Sequence, residues 1–152
     1  VGVYDRIICD VPCGGDGTLR KNPEVWQRWH PEFGIGLHPL QLRIALRGAA
    51  LLKVGGLMCY STCSFNPIEN EAVVAELLRR CKGALVLEDA SALLPQLQRS
   101  PGLRKWRVMD DSLTEYATYA DAQASSVPPY LRRRFRRSMW PPEAGRAPPP
   151  LH

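Results

Sequence analysis

The 152-residue sequence predicts an α/β fold in which parallel strands alternate with covering helices. Two observations lead to this class. Short apolar runs occur near residues 4–9, 57–60 and 84–88, and helical patterns fill the intervals between them. Parallel strands need crossovers of about a dozen residues or more, and the intervals are long enough for right-handed crossovers. With 45% hydrophobic and 23% charged residues, the chain has the composition of one globular domain.

The first predicted strand, residues 4–9, has the sequence YDRIIC and ends in three apolar residues. Such a near-continuous run is typical of a strand buried on both faces of a parallel sheet. The glycine-rich stretch GGDG at residues 14–17 then breaks the strand. Over residues 39–53, leucines and alanines recur at helical spacing, and Gly55 and Gly56 predict the end of that helix before a second strand at 57–60.

The next helix has the clearest predicted start in the chain. Asn66 is a candidate N-cap, Pro67 suits the first helical position, and Glu69 lies where a capping box places an acid. Its expected buried stripe consists of Val74, Leu77, Leu78 and Cys81, with Gly83 at its end. A third strand is predicted at residues 84–88, and the prolines beyond residue 89 favour long loops over further sheet.

The net charge of +5 is concentrated in one segment. Residues 99–137 contain nine Lys/Arg and four acidic residues, with Trp106, Tyr130 and Phe135 interleaved. This composition suits a phosphate backbone and exposed bases, although a solvated loop is the alternative interpretation. The candidate RNA-binding residues are Arg132, Arg133, Arg134, Arg136 and Arg137.

Two of the five cysteines are candidate catalytic residues. Cys13 and Cys63 each follow a predicted strand among turn residues, at the sheet edge where open α/β sheets bind ligands, and Asp10 shares that edge. We expect the other three cysteines, Cys9, Cys59 and Cys81, to be small buried hydrophobic residues. The odd number of cysteines favours free thiols in a reducing compartment.

Other chemistries are less favoured by these residues. The spacing Cys9-x3-Cys13 and Cys59-x3-Cys63 could be forced into a zinc site, but one cysteine of each pair lies inside a predicted strand, so we expect no metal. The serines near Cys63 lack an obvious histidine for a hydrolase triad. No apolar stretch approaches the roughly 18 to 20 residues of a membrane span, and we expect no membrane association.

A cysteine nucleophile beside a nucleic-acid surface suggests one reaction. C5 of cytosine is a poor nucleophile, but addition of a thiolate to C6 makes it enamine-like and able to take a methyl group from a sulfonium donor. The proton on C5 is then removed and the thiolate is expelled. A second ionisable group near the first would assist that release.

The stretches DVPCGGDGT (10–18) and YSTCSFNPIENE (60–71) resemble the fourth and sixth motifs of the Sun family of RNA cytosine-5 methyltransferases. RKNPEVW (20–26) and LQLRIA (40–45) are similar to its eukaryotic, nuclear, tRNA-directed branch. The resemblance implies that Cys63 is the nucleophile, that Cys13 assists product release, and that Asp10 contacts S-adenosylmethionine or the target base. Gly14 departs from the serine usual in the family, which bears on the hydrogen bonds around Cys13.

The resemblance also implies the organisation of the chain. It corresponds to the C-terminal portion of a Rossmann-like, S-adenosylmethionine-dependent methyltransferase sheet, a fragment that lacks the N-terminal donor-binding half and is inactive alone. Residues 1–98 are then the catalytic part, 99–142 a basic, loop-rich insertion before missing final strands, and 143–152 a disordered end. The expected partner is RNA, most of all tRNA, and the expected location is the nucleus, more narrowly the nucleolus. The alternative is a catalytically inactive RNA-binding module or paralogue with structural cysteines.

Overall fold

The computed structural model of the chain describes residues 2–142. Strands β1 (Tyr4–Asp10) and β2 (Leu52–Ser61) lie side by side and parallel, and they form one sheet. The crossover between them contains a 3₁₀ turn at Asp16–Thr18 and helices α1 (Glu24–Arg28) and α2 (Glu32–Leu51). The predicted parallel α/β arrangement is therefore confirmed for these elements, and it is consistent with a Rossmann-like fold.

Helix α2 begins at Glu32, well before the predicted start near Pro39. Pro39 lies inside the helix and cannot donate the usual hydrogen bond to the carbonyl four residues earlier. The helix continues because its first turns are buried: Ile35 is 2% exposed and His38 is fully buried. The His38 ring also hydrogen-bonds the Ile68 carbonyl at 2.8 Å. Tertiary packing therefore outweighs the local cost of the proline.

Strand β2 starts directly after α2, so Gly55 and Gly56 lie inside the strand and the prediction that they end the helix is wrong. The register with β1 shifts here, since Tyr4 pairs with Leu52 but Arg6 pairs with Leu57. Gly55 has φ of 77°, a left-handed conformation that glycine adopts without steric cost. The glycine pair therefore forms an irregularity in the strand.

Only one face of β1 is covered, which corrects the prediction of burial on both faces. Gly48 of α2 lies against Ile7 and Cys9, and Cys9 is 6% exposed. On the opposite face Ile8 is 78% exposed, and its neighbour Cys59 is exposed too, so Cys59 is not the buried hydrophobic residue that we expected. The physical reason is that side chains alternate along a strand and α2 packs on one side.

Helix α3 (Glu71–Cys81) begins four residues after the predicted start at Pro67. Asn66 instead accepts a hydrogen bond from the Ile68 backbone within a preceding turn. The buried face also differs from the predicted stripe, because Leu77 is buried as expected but Val74, Leu78 and Cys81 are half-buried. The face that packs consists of Ala72, Val73, Glu76 and Leu77. With Leu42 and Ala45 of α2, Val73 and Leu77 form one of two hydrophobic clusters.

Residues 84–88 do not form the predicted third strand. Within the described residues the parallel sheet contains only β1 and β2. An apolar run becomes a strand only when a neighbouring strand supplies hydrogen-bonding partners. Leu85 packs on the α2–α3 cluster, whereas Val86 is 77% exposed.

Residues 89–107 form no helix or strand, as the prolines predict, whereas residues 108–139 contain short elements between turns. Strands β3 (Val108–Met109) and β4 (Glu115–Tyr116) pair antiparallel and are followed by α4 (Tyr119–Ala122), α5 (Pro129–Arg134) and a 3₁₀ turn at Arg137–Met139. Their side chains enclose a second core with Ile35 and Ile68, at whose centre Phe135 is 1% exposed. The predicted disordered end, residues 143–152, lies outside the described residues.

Two of the three aromatic residues expected to stack on bases are structural. Phe135 is buried, and the Trp106 indole donates a hydrogen bond to the Met139 carbonyl at 2.7 Å. Tyr130 is 64% exposed and stays available to a ligand.

Candidate active site

Cys13 and Cys63 lie together at the carboxyl ends of the two parallel strands. Because Asp10 and Ser61 are partners in register, the loops that leave β1 and β2 start side by side. The two sulfur atoms are 3.2 Å apart, and the Cys63 backbone N–H donates to the Cys13 Sγ at 3.3 Å. The sequence-predicted pair of thiols is therefore one site.

The two thiols differ in environment. Cys63 is exposed, whereas Cys13 is partly buried. Burial raises the pKa of Cys13 to about 11, and its side-chain hydrogen bond with Cys63 acts in the same direction. Cys13 therefore keeps its proton at neutral pH, within hydrogen-bonding distance of an exposed sulfur.

A close backbone approach fixes the position of Cys63. The Gly17 N–H donates to the Cys63 carbonyl oxygen at 2.8 Å, and a Cβ atom at position 17 would lie 2.8 Å from that oxygen. Such a contact is shorter than van der Waals distance, so a side chain at position 17 would displace the loop that contains Cys63. One of the glycines after Cys13 is therefore needed for packing against Cys63.

The carboxylate of Glu69 forms hydrogen bonds with both cysteine loops. Its side chain is fully buried and accepts hydrogen bonds from the Gly14 backbone N–H at 2.8 Å, the Ser64 hydroxyl at 2.8 Å and the Gln41 amide at 2.9 Å. Gly14 follows Cys13 and Ser64 follows Cys63, so one carboxylate fixes both loops relative to α2. Sequence reasoning missed this role because Asn66 and Glu69 fit a helix-capping pattern that explained the acid locally.

Two further side chains complete this network. The Gln41 amide also donates to the Pro12 carbonyl at 2.9 Å, which anchors the residue before Cys13 to α2. The Tyr60 hydroxyl donates to the Glu69 backbone carbonyl at 2.6 Å. Burial is the main cause that raises the pKa of Tyr60, and the charge of Glu69 is the second. Both loops are thereby held by buried or partly buried hydrogen bonds, which are stronger than exposed ones.

Asp10 and Gly14 occupy the positions that the motifs indicate. The Asp10 carboxylate is exposed at the end of β1 and accepts a hydrogen bond from the Ser61 hydroxyl at 3.0 Å. It is therefore open to a ligand at this edge. At Gly14, a Cβ atom would lie 2.9 Å from a Glu69 carboxylate oxygen, so a serine here would require Glu69 to shift.

The arginine run lies in a folded segment that ends α5 and enters the last 3₁₀ turn. Arg134 forms an ion pair with Glu32 at the start of α2, and Arg132 is half-buried. Arg133, Arg136 and Arg137 are exposed. That the five arginines bind RNA stays a prediction. Arg133, Arg136 and Arg137 are the better placed to contact RNA because they are exposed.

Among the described residues, one group of potential metal ligands is close enough to hold an ion, formed by His30, Glu32 and Asp111. The His30 ring hydrogen-bonds Asp111 at 2.7 Å, and Glu32 already pairs with Arg134. These contacts join the start of α2 to the second core. The four cysteines of the zinc alternative form no such group within residues 2–142.

The fold and the site define an α/β domain that presents two adjacent thiols at the ligand-binding edge of its parallel sheet. Residues 1–101 match the family model described as 16S rRNA methyltransferase RsmB/F. The chain therefore belongs to this methyltransferase family, also called the Sun family, and the resemblance drawn from the motifs is confirmed.

Curated relatives are similar over most of the chain. A multisite-specific tRNA:(cytosine-C(5))-methyltransferase of Schizosaccharomyces pombe is 51% identical over 91% of the chain and 19% of its own length. A tRNA (cytosine(34)-C(5))-methyltransferase of Drosophila melanogaster is 45% identical over 91% of the chain and 18% of its length. A multisite-specific tRNA:(cytosine-C(5))-methyltransferase of Saccharomyces cerevisiae is 56% identical over 74% of the chain and 16% of its length. The chain thus spans less than a fifth of each of these relatives.

Proposed function

We propose that the protein to which this chain belongs methylates C5 of cytosine in RNA, most of all tRNA, through a covalent bond between Cys63 and C6. The observation that supports this most strongly is the 3.2 Å separation of two thiols at neighbouring strand ends. The names of the similar proteins support cytosine in tRNA as the substrate.

In the addition step, the Cys63 thiolate attacks C6, a carbon–sulfur bond forms, and the electron pair moves towards C5. Cys63 suits this role because its side chain is exposed. When Cys63 is a thiolate, it can only accept, and the protonated Cys13 thiol 3.2 Å away is the donor of their hydrogen bond.

S-adenosylmethionine, when bound, supplies the methyl group that becomes attached to C5. The exposed Asp10 carboxylate is the described residue that fits a hydroxyl or amino group of this donor or of the target base.

In the release step, the C5 proton passes to a base, the C5–C6 double bond forms again, and the carbon–sulfur bond breaks. Cys63 leaves as a thiolate that accepts the hydrogen bond from the protonated Cys13. This hydrogen bond assists the departure of the sulfur, and we therefore assign product release to Cys13.

We further propose that β1 and β2 are the later strands of a larger Rossmann-like sheet whose other parts carry most of the donor contacts. The exposed Ile8 and the small share of the relatives that the chain covers support this. On this proposal residues 1–152 alone do not methylate RNA. The exposed arginines 133, 136 and 137 favour contact with RNA phosphates and a nuclear location.

Denaturing gels of the full-length protein with tRNA and methyl donor test the chemistry. Cys13→Ala should accumulate a slowly migrating protein–RNA adduct, Cys63→Ala should form neither adduct nor 5-methylcytosine, and Cys59→Ala, also exposed, serves as the matched control. The reverse pattern would exchange the two roles. Normal methylation from both variants, or RNA binding by the intact protein without methylation, would favour the alternative of an RNA-binding module with structural cysteines.

A further inference from the structure

A groove of about 320 Å³ opens beside the loop that contains Cys63. Its lining includes Asp16 and Phe65 from the two cysteine loops, Trp29 after α1, Arg107 immediately before β3, and Met109 of β3. The groove thus lies where the two parts of the described chain meet, and its lining is mainly apolar.

The groove shares its backbone with the thiol site. Phe65 is two residues beyond Cys63, and its N–H donates to the Asp16 carboxylate at 3.0 Å. The next residue after Asp16, Gly17, donates to the Cys63 carbonyl. A ligand in this groove would therefore lie directly next to a nucleotide held at Cys63.

The side chains around the groove match the chemistry of an unpaired base. Phe65 is 78% exposed and Trp29 is 38% exposed, although both are large and aromatic. The Arg107 side chain is 70% exposed and is held by an ion pair with Glu115 at 3.3 Å. Aromatic rings stack on the flat apolar faces of bases, and an arginine at the rim binds phosphate or stacks in turn.

We propose that this groove binds an unpaired nucleotide adjacent to the target cytosine, with its base against Phe65 and Trp29 and its phosphate near Arg107. The inference rests on the proposed function, since RNA is what places a nucleotide there. The chain's net charge of +5 favours a polyanion over a neutral apolar peptide as the occupant. The groove then requires that the RNA be single-stranded on one side of the modified base.

The test measures binding of the 152-residue chain to a fluorescein-labelled single-stranded RNA of about nine nucleotides with one central cytosine, a length within the site size of a single-strand-binding module. Phe65→Leu and Trp29→Leu each remove a stacking ring, and since both residues are exposed, neither change disturbs the core. Each should raise Kd by about 5- to 30-fold. Phe65→Tyr keeps the ring and should bind normally, as should the matched control Trp26→Leu, whose side chain is 75% exposed and does not line the groove.

A second set of RNAs, with an abasic ribose at each position beside the cytosine in turn, locates the base. At one position, base removal should weaken binding to the unaltered chain, and Phe65→Leu should then add no further loss. Additive losses at every position, an unchanged Kd for both leucine variants, or no binding of RNA by the unaltered chain would each refute the nucleotide site.

These outcomes are separable from the proposed function. Methylation by the full-length protein with additive losses would overturn the groove and leave the enzyme. Non-additive losses in a protein that methylates no RNA would support the groove and overturn the enzyme.

Discussion

Replacing Glu69 tests whether one buried carboxylate holds both cysteine loops. Glu69→Leu would leave three groups without an acceptor: the Gly14 N–H, the Ser64 hydroxyl and one of the two N–H groups of the Gln41 amide. The other Gln41 N–H still donates to Pro12. An unsatisfied buried donor costs about 1–3 kcal/mol, so the free energy of unfolding should fall by roughly 3–5 kcal/mol after relief of the buried charge is allowed for. This is a large part of the roughly 5–15 kcal/mol that is typical of whole domains.

Glu69→Gln should cost less, for a geometric reason. The Gly14 and Gln41 donors share one carboxylate oxygen, so a glutamine carbonyl in that place keeps both bonds. Its amide then faces the Ser64 hydroxyl, which can rotate to accept. The loss is that of charge assistance on the hydrogen bonds, about 1–2 kcal/mol in total.

Urea unfolding of the 152-residue chain measures both values, with Glu88→Gln as a control that removes an equal charge from an exposed position. Adduct formation by the full-length variants measures the effect on the site, and it should fall more for Glu69→Leu than for Glu69→Gln. If both Glu69 variants unfold at the same urea concentration as the control, Glu69 does not hold the loops and the reasoning fails.

Two other perturbations follow from the charges and thiols. Glutamine replacement of the exposed arginines should weaken tRNA binding by the full-length protein. The slope of log K against log salt should become less steep by about 0.7–0.9 for each phosphate that the protein no longer neutralises. An unchanged slope would mean that these arginines are only solvated. The arginines to replace are Arg133, Arg136 and Arg137. Because the folded pKa of Cys13 is raised from 9.0 to about 11, the stability that protonated Cys13 contributes is present below pH 9 and is lost as pH rises towards 11. Cys13→Ser should remove that part of the pH dependence of urea unfolding, and an identical pH profile in both proteins would contradict the assignment.

The parallel strands and the thiol pair were determined by the sequence itself. Apolar runs at residues 4–9 and 57–60 are followed by turn residues, and parallel strands present their carboxyl ends at one edge. Cys13 and Cys63 therefore lie close together because the crossover places β1 and β2 side by side and parallel. The motifs around them also supported the family assignment, because each is a short contiguous stretch that can be recognised without the tertiary structure.

Tertiary structure alone decided the rest. Local signals favoured Pro39 as a helix start, but burial of Ile35 and His38 extends α2 back to Glu32. They favoured Glu69 as a capping acid, but its carboxylate hydrogen-bonds both cysteine loops. They favoured a strand at residues 84–88, but no neighbouring strand pairs with it within the described part of the chain. The core around Phe135 was equally hidden, since its members come from distant segments without periodicity. The physical reason is common to these cases: hydrogen-bond partners and apolar neighbours far apart in the chain contribute more free energy than local propensity does, and their identity is not encoded in any short stretch.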